Sequence, residues 1–252
     1  MILAGFSLFI IFLLVIGMPV AFTLSVAGIL GIIQFVDVSF LSQVPVIAYK
    51  TLDSYVLTSV PLYILMSQIM LTGRVGSGLF ELGSKWMGHL PGGLGIATIF
   101  ACAIFAAISG SSVATAVTIG AMAIPEMLKR GYDRKLVVGS VAAGGTLGIL
   151  IPPSIMLVSM GSYANVSVGK IFFAAIVPGL VLSLFYMIYV FVICHIHPDY
   201  GPAMTTEELA AMPLRERITG SLINLIPPVI LIVGVLGSIF TGWATPRPRR
   251  QA

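Results

Sequence analysis

Two long apolar stretches in the middle of the sequence are each interrupted by residues that do not fit a simple membrane-spanning helix. The first runs from Ile96 to Ile108, stops at Ser109-Gly110-Ser111-Ser112 and resumes from Val113 to Ile124. Each half has about 12 to 14 residues, or roughly 20 Å of helix, whereas the hydrocarbon core of a bilayer is roughly 30 Å thick. We therefore predict a re-entrant helical hairpin over residues 92–127, with its polar tip surrounded by protein or water.

The second stretch, residues 136–163, is long enough to cross the membrane but contains two consecutive prolines. Pro152 and Pro153 lack backbone donors and disfavour helix at the residue before them, and the glycine-rich group Gly144 to Gly148 precedes them. We predict two half-helices joined by an unwound link near mid-membrane, with Pro153 in the first turn of the second half. A hairpin followed by a broken helix is how secondary transporters form an ion and substrate site.

Composition places the whole chain in a lipid bilayer. Of its 252 residues, 58% are hydrophobic and 9% are charged, and the mean hydropathy is +1.08. A soluble domain would carry about 25% charged residues. The net charge of +4 lies in the loops, so it indicates membrane orientation and not a nucleic-acid partner. Cys102 and Cys194 both lie in apolar runs, which favours packing over a disulfide. We expect an all-α polytopic membrane protein.

The remaining segments suggest helices around this central element. Residues 2–35 form either one long kinked helix or two short ones, and the sequence leaves both open. Asp37 to Val56 suits an interfacial helix, Ser59 to Thr72 a buried segment, and Gly73 to Leu90 an amphipathic helix lying flat. We divide the chain into N-terminal scaffold and interfacial helices (1–90), a transport element (91–163, with its broken helix at 136–163), further scaffold helices (164–246) and an atypical basic tail (247–252).

Basic residues flank the predicted hairpin on both sides. Arg74 and Lys85 precede it, and the loop from Lys129 to Lys135 follows it. The positive-inside rule places both flanks in the cytoplasm, as a re-entrant hairpin requires. The same rule fits the tail badly, because Arg247 and its neighbours then lie outside.

Several motifs resemble the large membrane subunit of the tripartite ATP-independent periplasmic (TRAP) transporters, the DctM-like family. The resemblance extends from about residue 1 to Pro246, and its motifs are PLYIL at 61–65, GHLPGGLG at 88–95, ISGSSVA at 108–114, GYD at 131–133, GTLGILIPPS at 145–154 and IVPG at 176–179. It implies an elevator-type fold of two inverted repeats in the bacterial inner membrane. It also implies sodium-coupled uptake of organic acids such as C4-dicarboxylates, with a periplasmic solute-binding protein and a small membrane subunit as partners.

The resemblance covers only the N-terminal half of such a subunit. Family members continue past Pro246 into a second repeat, whereas this sequence ends at Ala252. We therefore expect the first inverted repeat alone, and a fragment, a truncated gene product and a frameshifted reading frame all remain open. A non-transporting membrane fragment or scaffold is the alternative function.

The two interruptions predict a site for a cation and a carboxylate, because exposed helix ends carry opposite partial charges. Ser and Gly in membrane helices also serve close packing, so that alternative stays open. With the family resemblance, we assign the candidates in two groups. The sodium ligands are Ser109, Ser112, Gly145, Gly148 and Ile151, and the substrate-binding residues are Ser111, Thr115, Thr146, Pro153 and Ser154.

The ionisable residues argue against two other mechanisms. Residues 95–125 and 136–163 contain no Asp, Glu, Lys, Arg or His, which favours sodium over proton coupling. An intramembrane serine hydrolase needs a base within reach of its serine, but His89, His195 and His197 lie at polar segment ends. We therefore expect no enzyme activity, no organic cofactor and no metal other than Na⁺.

Overall fold

The computed structural model describes residues 2–53, 59–73, 75–164, 166–204 and 214–241, and within these ranges it is helical and contains no strand. It divides into two compact units, Met1–Ser54 and Tyr55–Ala252. The basic tail lies outside the described residues, as do Arg74 and residues 54–58.

The first unit settles the alternative that residues 2–35 left open, because it contains two helices. They are α1 (Ile2–Val15) and α2 (Val20–Phe35), followed by a short 3-10 helix (Val38–Ser42) and α3 (Gln43–Leu52). The chain turns between α1 and α2 at Gly17, whose φ of 89° favours glycine. The rings of Phe6 and Phe35 meet edge to face at 5.6 Å, so α2 folds back along α1.

The second unit contains eight helices among its described residues. They are α4 (Ser59–Thr72), α5 (Val75–Met87), α6 (Gly93–Ser109), α7 (Ser112–Lys129), α8 (Arg134–Leu150), α9 (Ile155–Ala164), α10 (Val168–Ile196) and α11 (Leu214–Phe240). A 3-10 turn, Pro198–Tyr200, follows α10. Helix α4 has the predicted bounds, and most of its described side chains are exposed on the surface of the chain. Helix α5 is amphipathic as predicted, with Leu79 and Phe80 buried and Glu81 exposed.

Helix α6 is the centre of the second unit. Ala97, Ala101 and Cys102 are 0% exposed, and α5, α7, α8 and α10 all pack against this helix. Small residues allow these helices to approach closely. A Cβ atom added at Gly83 would lie 3.0 Å from that of Ala97, and one at Gly144 would lie 2.7 Å from the sulfur of Cys102. Such contacts are typical of helix packing in membranes.

Helices α6 and α7 form an antiparallel hairpin. Ser109 and Thr115 are in contact at its tip, while the hydroxyl of Thr98 lies 3.5 Å from the sulfur of Met127 near its base. The helices have 17 and 18 residues, or about 26 Å each, which is longer than the roughly 20 Å that the apolar runs predicted. The difference arises because α6 begins at Gly93 and α7 continues through Pro125 into its charged end.

A short segment after α10, residues 197–204, crosses the base of the hairpin, and we call it the base strap. The amide of Gly92 donates to the carbonyl of Gly201 at 2.9 Å, and the amide of Met204 donates to the carbonyl of Gly88 at 2.9 Å. The amide of Asp133, between α7 and α8, donates to the carbonyl of Tyr200 at 3.0 Å. The base strap therefore joins both ends of the hairpin to the end of α10.

Three helical stretches among the described residues are long and apolar enough to cross a membrane: Arg134–Ala164, Val168–Ile196 and Thr219–Phe240. The second and third expose most of their apolar surface, since only 17% and 11% of their central windows are buried within the chain. Exposed apolar helices of this length require lipid or further protein around them. The chain is therefore a multi-pass membrane protein.

Candidate functional site

The tip of the hairpin lies against an interruption between α8 and α9. Helix α6 ends at Ser109 and is capped by Gly110, which has a left-handed φ of 60° and donates its amide to the carbonyl of Ala106. This is a common way for a helix to end at glycine. Across the interface, the first amide of α9, that of Ile155, donates to the carbonyl of Gly110 at 3.3 Å. The two breaks in the helices are thus joined by a backbone hydrogen bond.

Three glycines allow this contact between backbones. A Cβ atom at Gly148 would lie 2.5 Å from the carbonyl oxygen of Ser111, and one at Gly110 would lie 2.7 Å from that of Pro153. At Gly145 it would lie 2.8 Å from the Cβ atom of Ala116. Real Cβ atoms do not approach backbone atoms so closely, so a larger residue at these positions would separate α8 and α9 from the tip.

The hydroxyls at the tip form a buried network. The oxygens of Ser109 and Thr115 lie 2.9 Å apart, and both residues are 0% exposed. Thr115 also donates to the carbonyl of Ser111 at 2.8 Å. Ser111 caps α7, because its hydroxyl accepts from the amide of Ala114 at 3.4 Å.

The interruption itself spans residues 151–154, and all four are buried. Helix α8 ends at Leu150 and α9 begins at Ile155, so Pro153 lies before the second half-helix and the prediction that it occupies the first turn is wrong. Two prolines in succession leave the chain without the donors that would continue the helix. The hydroxyl of Ser154 donates to the carbonyl of Ile149 at 2.8 Å, which uses one of the carbonyls freed at the end of α8.

The structure brings most of the predicted site residues together. Ser109, Ser111, Ser112 and Thr115 form or adjoin the tip, Gly145 and Gly148 face it from α8, and Pro153 and Ser154 meet Gly110. The side chain of Ile151 instead packs against Gly179 of α10. Thr146 is exposed, and its hydroxyl lies 3.5 Å from that of Tyr186 on α10. The ligand roles themselves stay predictions.

Sequence reasoning missed two backbone groups that hold the arrangement together, the carbonyl of Gly110 and the amide of Ile155. The glycine before a capping serine is a signal for the end of α6, but nothing local identifies its partner 45 positions along the chain. It also missed Tyr132, whose hydroxyl accepts from the amide of Leu94 at the start of α6 at 3.1 Å.

The site has the electrostatics of two helix ends without ionised side chains. The C-terminal end of α6 is partially negative and the N-terminal end of α7 partially positive. Within the described part of the chain, no three His, Cys, Asp or Glu residues lie close enough to hold a metal ion. A cation bound at the tip would therefore take hydroxyl and carbonyl oxygens as ligands, which are groups that suit a hard ion.

A hairpin tip packed on an interrupted helix in a multi-pass membrane protein is the arrangement that secondary transporters use for binding. The family model of the tripartite ATP-independent periplasmic transporter, DctM component, matches residues 7–248. The chain belongs to this family, as the motifs predicted. Its relatives are transporter permeases, which are not enzymes, and this removes the serine hydrolase alternative.

Individual relatives agree with the family assignment. The chain is 38% identical over 227 residues to the C4-dicarboxylate TRAP transporter large permease protein DctM of Pseudomonas aeruginosa, covering 89% of this chain and 50% of that protein. It is 35% identical over 229 residues to the DctM protein of Vibrio cholerae, covering 91% and 50%. The ectoine TRAP transporter large permease protein TeaC of Halomonas elongata is 32% identical over 234 residues, covering 91% and 53%. The chain thus spans about half the length of these relatives.

Proposed function

We propose that this chain supplies one repeat of a sodium-coupled permease for organic acids, C4-dicarboxylates or related carboxylates, in the bacterial inner membrane. A periplasmic solute-binding protein would deliver the substrate, and a small membrane subunit would support the permease. The dicarboxylate transporters among the relatives favour this substrate class. The ectoine relative shows that other members of the family are named as transporters of other solutes.

One observation carries the proposal, namely the hydrogen bond from the amide of Ile155 to the carbonyl of Gly110. It brings the ends of four helices to one place, away from the base of the hairpin. In our interpretation the hairpin is re-entrant, residues 134–164 are a broken transmembrane helix, and the whole is the first inverted repeat of an elevator-type fold. The helix ends then supply partial charges where side-chain charges are absent.

The sodium ligands in this proposal are hydroxyl and carbonyl oxygens. Ser109 and Ser112 would contribute their hydroxyls, and Gly145, Gly148 and Ile151 their carbonyls. Ser112 is the most direct candidate for testing. Its hydroxyl makes no hydrogen bond with the described residues, whereas that of Ser109 already contacts Thr115.

The substrate carboxylate would lie at the positive end of α7. Anions bind readily at helix N-termini because free amides point outwards there. In this proposal Ser111 and Thr115 act at the helix start, Pro153 and Ser154 line the opposite side, and Thr146 contributes from α8.

Uptake in proteoliposomes tests the coupling. The chain is reconstituted together with the remaining repeat of the permease, the small subunit and the binding protein, and uptake of labelled succinate is measured under a sodium gradient or a proton gradient. Ser112→Ala should weaken the apparent sodium affinity about tenfold or more, because a hydrogen bond or ligand to a charge contributes about 1.5–3 kcal/mol. Ser25→Ala is the control, since its hydroxyl donates to its own helix at Ala21.

Two results would contradict this proposal. Unchanged sodium activation in Ser112→Ala would remove that ligand, and uptake driven by a proton gradient alone would exclude sodium coupling. A separate labelling experiment tests the membrane path of the hairpin. Cysteines introduced by Lys85→Cys and Lys129→Cys should both react from the cytoplasmic side, and reaction from opposite sides would make the hairpin a true span.

A further inference from the structure

A groove of about 380 Å³ lies between α8 and α10, beside the base of the hairpin, and the proposed transport site does not use it. Residues of α8 form one wall, residues of α10 form the other, and Ile99 of α6 is also part of the lining. Tyr200 of the base strap lies at its basal end. The groove is open at the side, where Gly139 and Tyr189 are exposed.

The charges of the groove are confined to its basal end. Asp133 and Lys135 are the only charged residues of its lining among the described residues. The carboxylate of Asp133 accepts from the amides of Lys135 at 2.9 Å and Leu136 at 3.1 Å, so it serves as the cap of α8. The ammonium group of Lys135 is exposed and forms no ion pair within the described part of the chain.

Two further basic residues, Lys129 and Arg134, are exposed and lie close to this end of the groove in sequence. By the positive-inside rule this is the cytoplasmic end, where the membrane surface is negative and basic pockets between helices bind anionic head groups. The charge therefore favours an anionic ligand.

Beyond Lys135 the groove continues as an apolar surface. Gly139 and Ala143 of α8 form part of its lining, and Val190 and Ile193 of α10 form another part. A small anion bound at Lys135 alone would leave this apolar surface uncovered.

We propose that this groove binds one anionic glycerophospholipid from the cytoplasmic leaflet, with phosphatidylglycerol as the probe. The phosphate contacts Lys135, and an acyl chain lies along the apolar wall that includes Val190 and Ile193. This ligand matches both the charge at the basal end and the apolar surface beyond it. The inference does not depend on the transported substrate.

Native mass spectrometry of the full chain tests the proposal. The chain is titrated in detergent with phosphatidylglycerol or phosphatidylethanolamine, and free glycerol 3-phosphate is then added as a competitor. The chain is released from the detergent micelle inside the mass spectrometer. We expect one tightly held phosphatidylglycerol that the free phosphate does not displace. Lys135→Gln should weaken its binding about fivefold, because one lysine near an anionic surface contributes about that factor. Lys170→Gln, which removes the same charge near the opposite end of α10, should leave binding unchanged.

A second variant fills the groove without removing charge. A Cβ atom at Gly139 would meet nothing within 4 Å, so Gly139→Leu places its side chain in open space and should abolish the bound lipid without unfolding the chain. Gly234→Leu on α11 is the control, since a Cβ atom there also meets nothing within 4 Å. Thermal unfolding in detergent verifies that both variants are folded.

Four outcomes would overturn the proposal. They are equal binding of phosphatidylethanolamine, displacement by glycerol 3-phosphate at similar concentration, retention of the lipid in Gly139→Leu, and crosslinking of a Gly139→Cys variant to protein instead of lipid in the assembled transporter. The last outcome would mean that a polypeptide segment occupies the groove.

Discussion

One methyl group added at Gly148 tests whether the hairpin tip and α8 are packed as described. A Cβ atom at this position would lie 2.5 Å from the carbonyl oxygen of Ser111 and 2.8 Å from the amide nitrogen of Ser112. Both neighbours are backbone atoms, so they cannot rotate away as a flexible side chain could. The substitution Gly148→Ala must therefore push α8 and the tip apart.

The size of the effect follows from two opposing contributions. Overpacking a well-packed interior costs about 1–3 kcal/mol, whereas alanine in place of glycine within a helix gains about 0.5–1 kcal/mol. Gly139 on the same helix supplies a matched control, because a Cβ atom there meets nothing within 4 Å. Gly139→Ala should therefore show the helix gain alone, and the two variants should differ by about 1–3 kcal/mol in free energy of unfolding.

Denaturant unfolding of the chain in detergent, followed by circular dichroism, measures this difference. The titrations are run in sodium chloride and in potassium chloride at equal ionic strength. If the tip and the helix break hold sodium, the wild-type chain and Gly139→Ala should be more stable in sodium. Gly148→Ala should lose that difference because its ligands are separated.

Two results would refute this reasoning at different levels. Equal stability of the Gly148→Ala and Gly139→Ala variants would show that the tip does not contact α8 at this position. A destabilised Gly148→Ala variant that keeps its full sodium response would leave the packing intact but place the ion elsewhere.

Three further perturbations test the elements around the site. Tyr132→Phe should cost about 1 kcal/mol, since it removes the acceptor of the Leu94 amide. Burial raises the pKa of Tyr132 to about 12, so the stability of the wild-type chain should fall relative to this variant between about pH 10 and 12. Denaturant unfolding across that range measures this, and parallel curves of stability against pH for the two proteins would contradict it. Asp133→Ala should cost about 1 kcal/mol in denaturant titration, because its carboxylate caps two amides of α8, and an unchanged midpoint would refute the cap. A double-mutant cycle of Ser109→Ala and Thr115→Val should show coupling of about 0.5–1.5 kcal/mol, whereas additive costs would show that the 2.9 Å contact contributes nothing.

The positions at which helices end and begin at the site could be predicted from the sequence, because they depend on residue chemistry alone. Pro152 and Pro153 cannot continue a helix, and Gly110 followed by Ser111 is a typical end and start of helices. Family motifs then supported the order of the elements. The helix lengths were less accessible, since Pro125 lies within α7 and the apolar pattern alone suggested an earlier end.

The pairing of distant segments could not be read from the sequence. Gly145 and Gly148 face the tip, whereas Thr146 between them lies beside Tyr186 of α10. Which face of α8 meets the hairpin depends on how several helices pack together, and local residue preferences do not determine this. The base strap illustrates the same limit, because its contacts with Gly92 and Asp133 use backbone groups that any residue provides.

The two ends of the hairpin are fastened very differently. At its root, three backbone hydrogen bonds of 2.9–3.0 Å and the phenol of Tyr132 secure it to its surroundings. At the far end, one 3.3 Å hydrogen bond among the described residues, from the amide of Ile155 to the carbonyl of Gly110, links it to the start of α9. Under thermal motion, the tip of the hairpin should therefore separate from α9 before the base separates from its surroundings, and the hairpin should then rotate about its base.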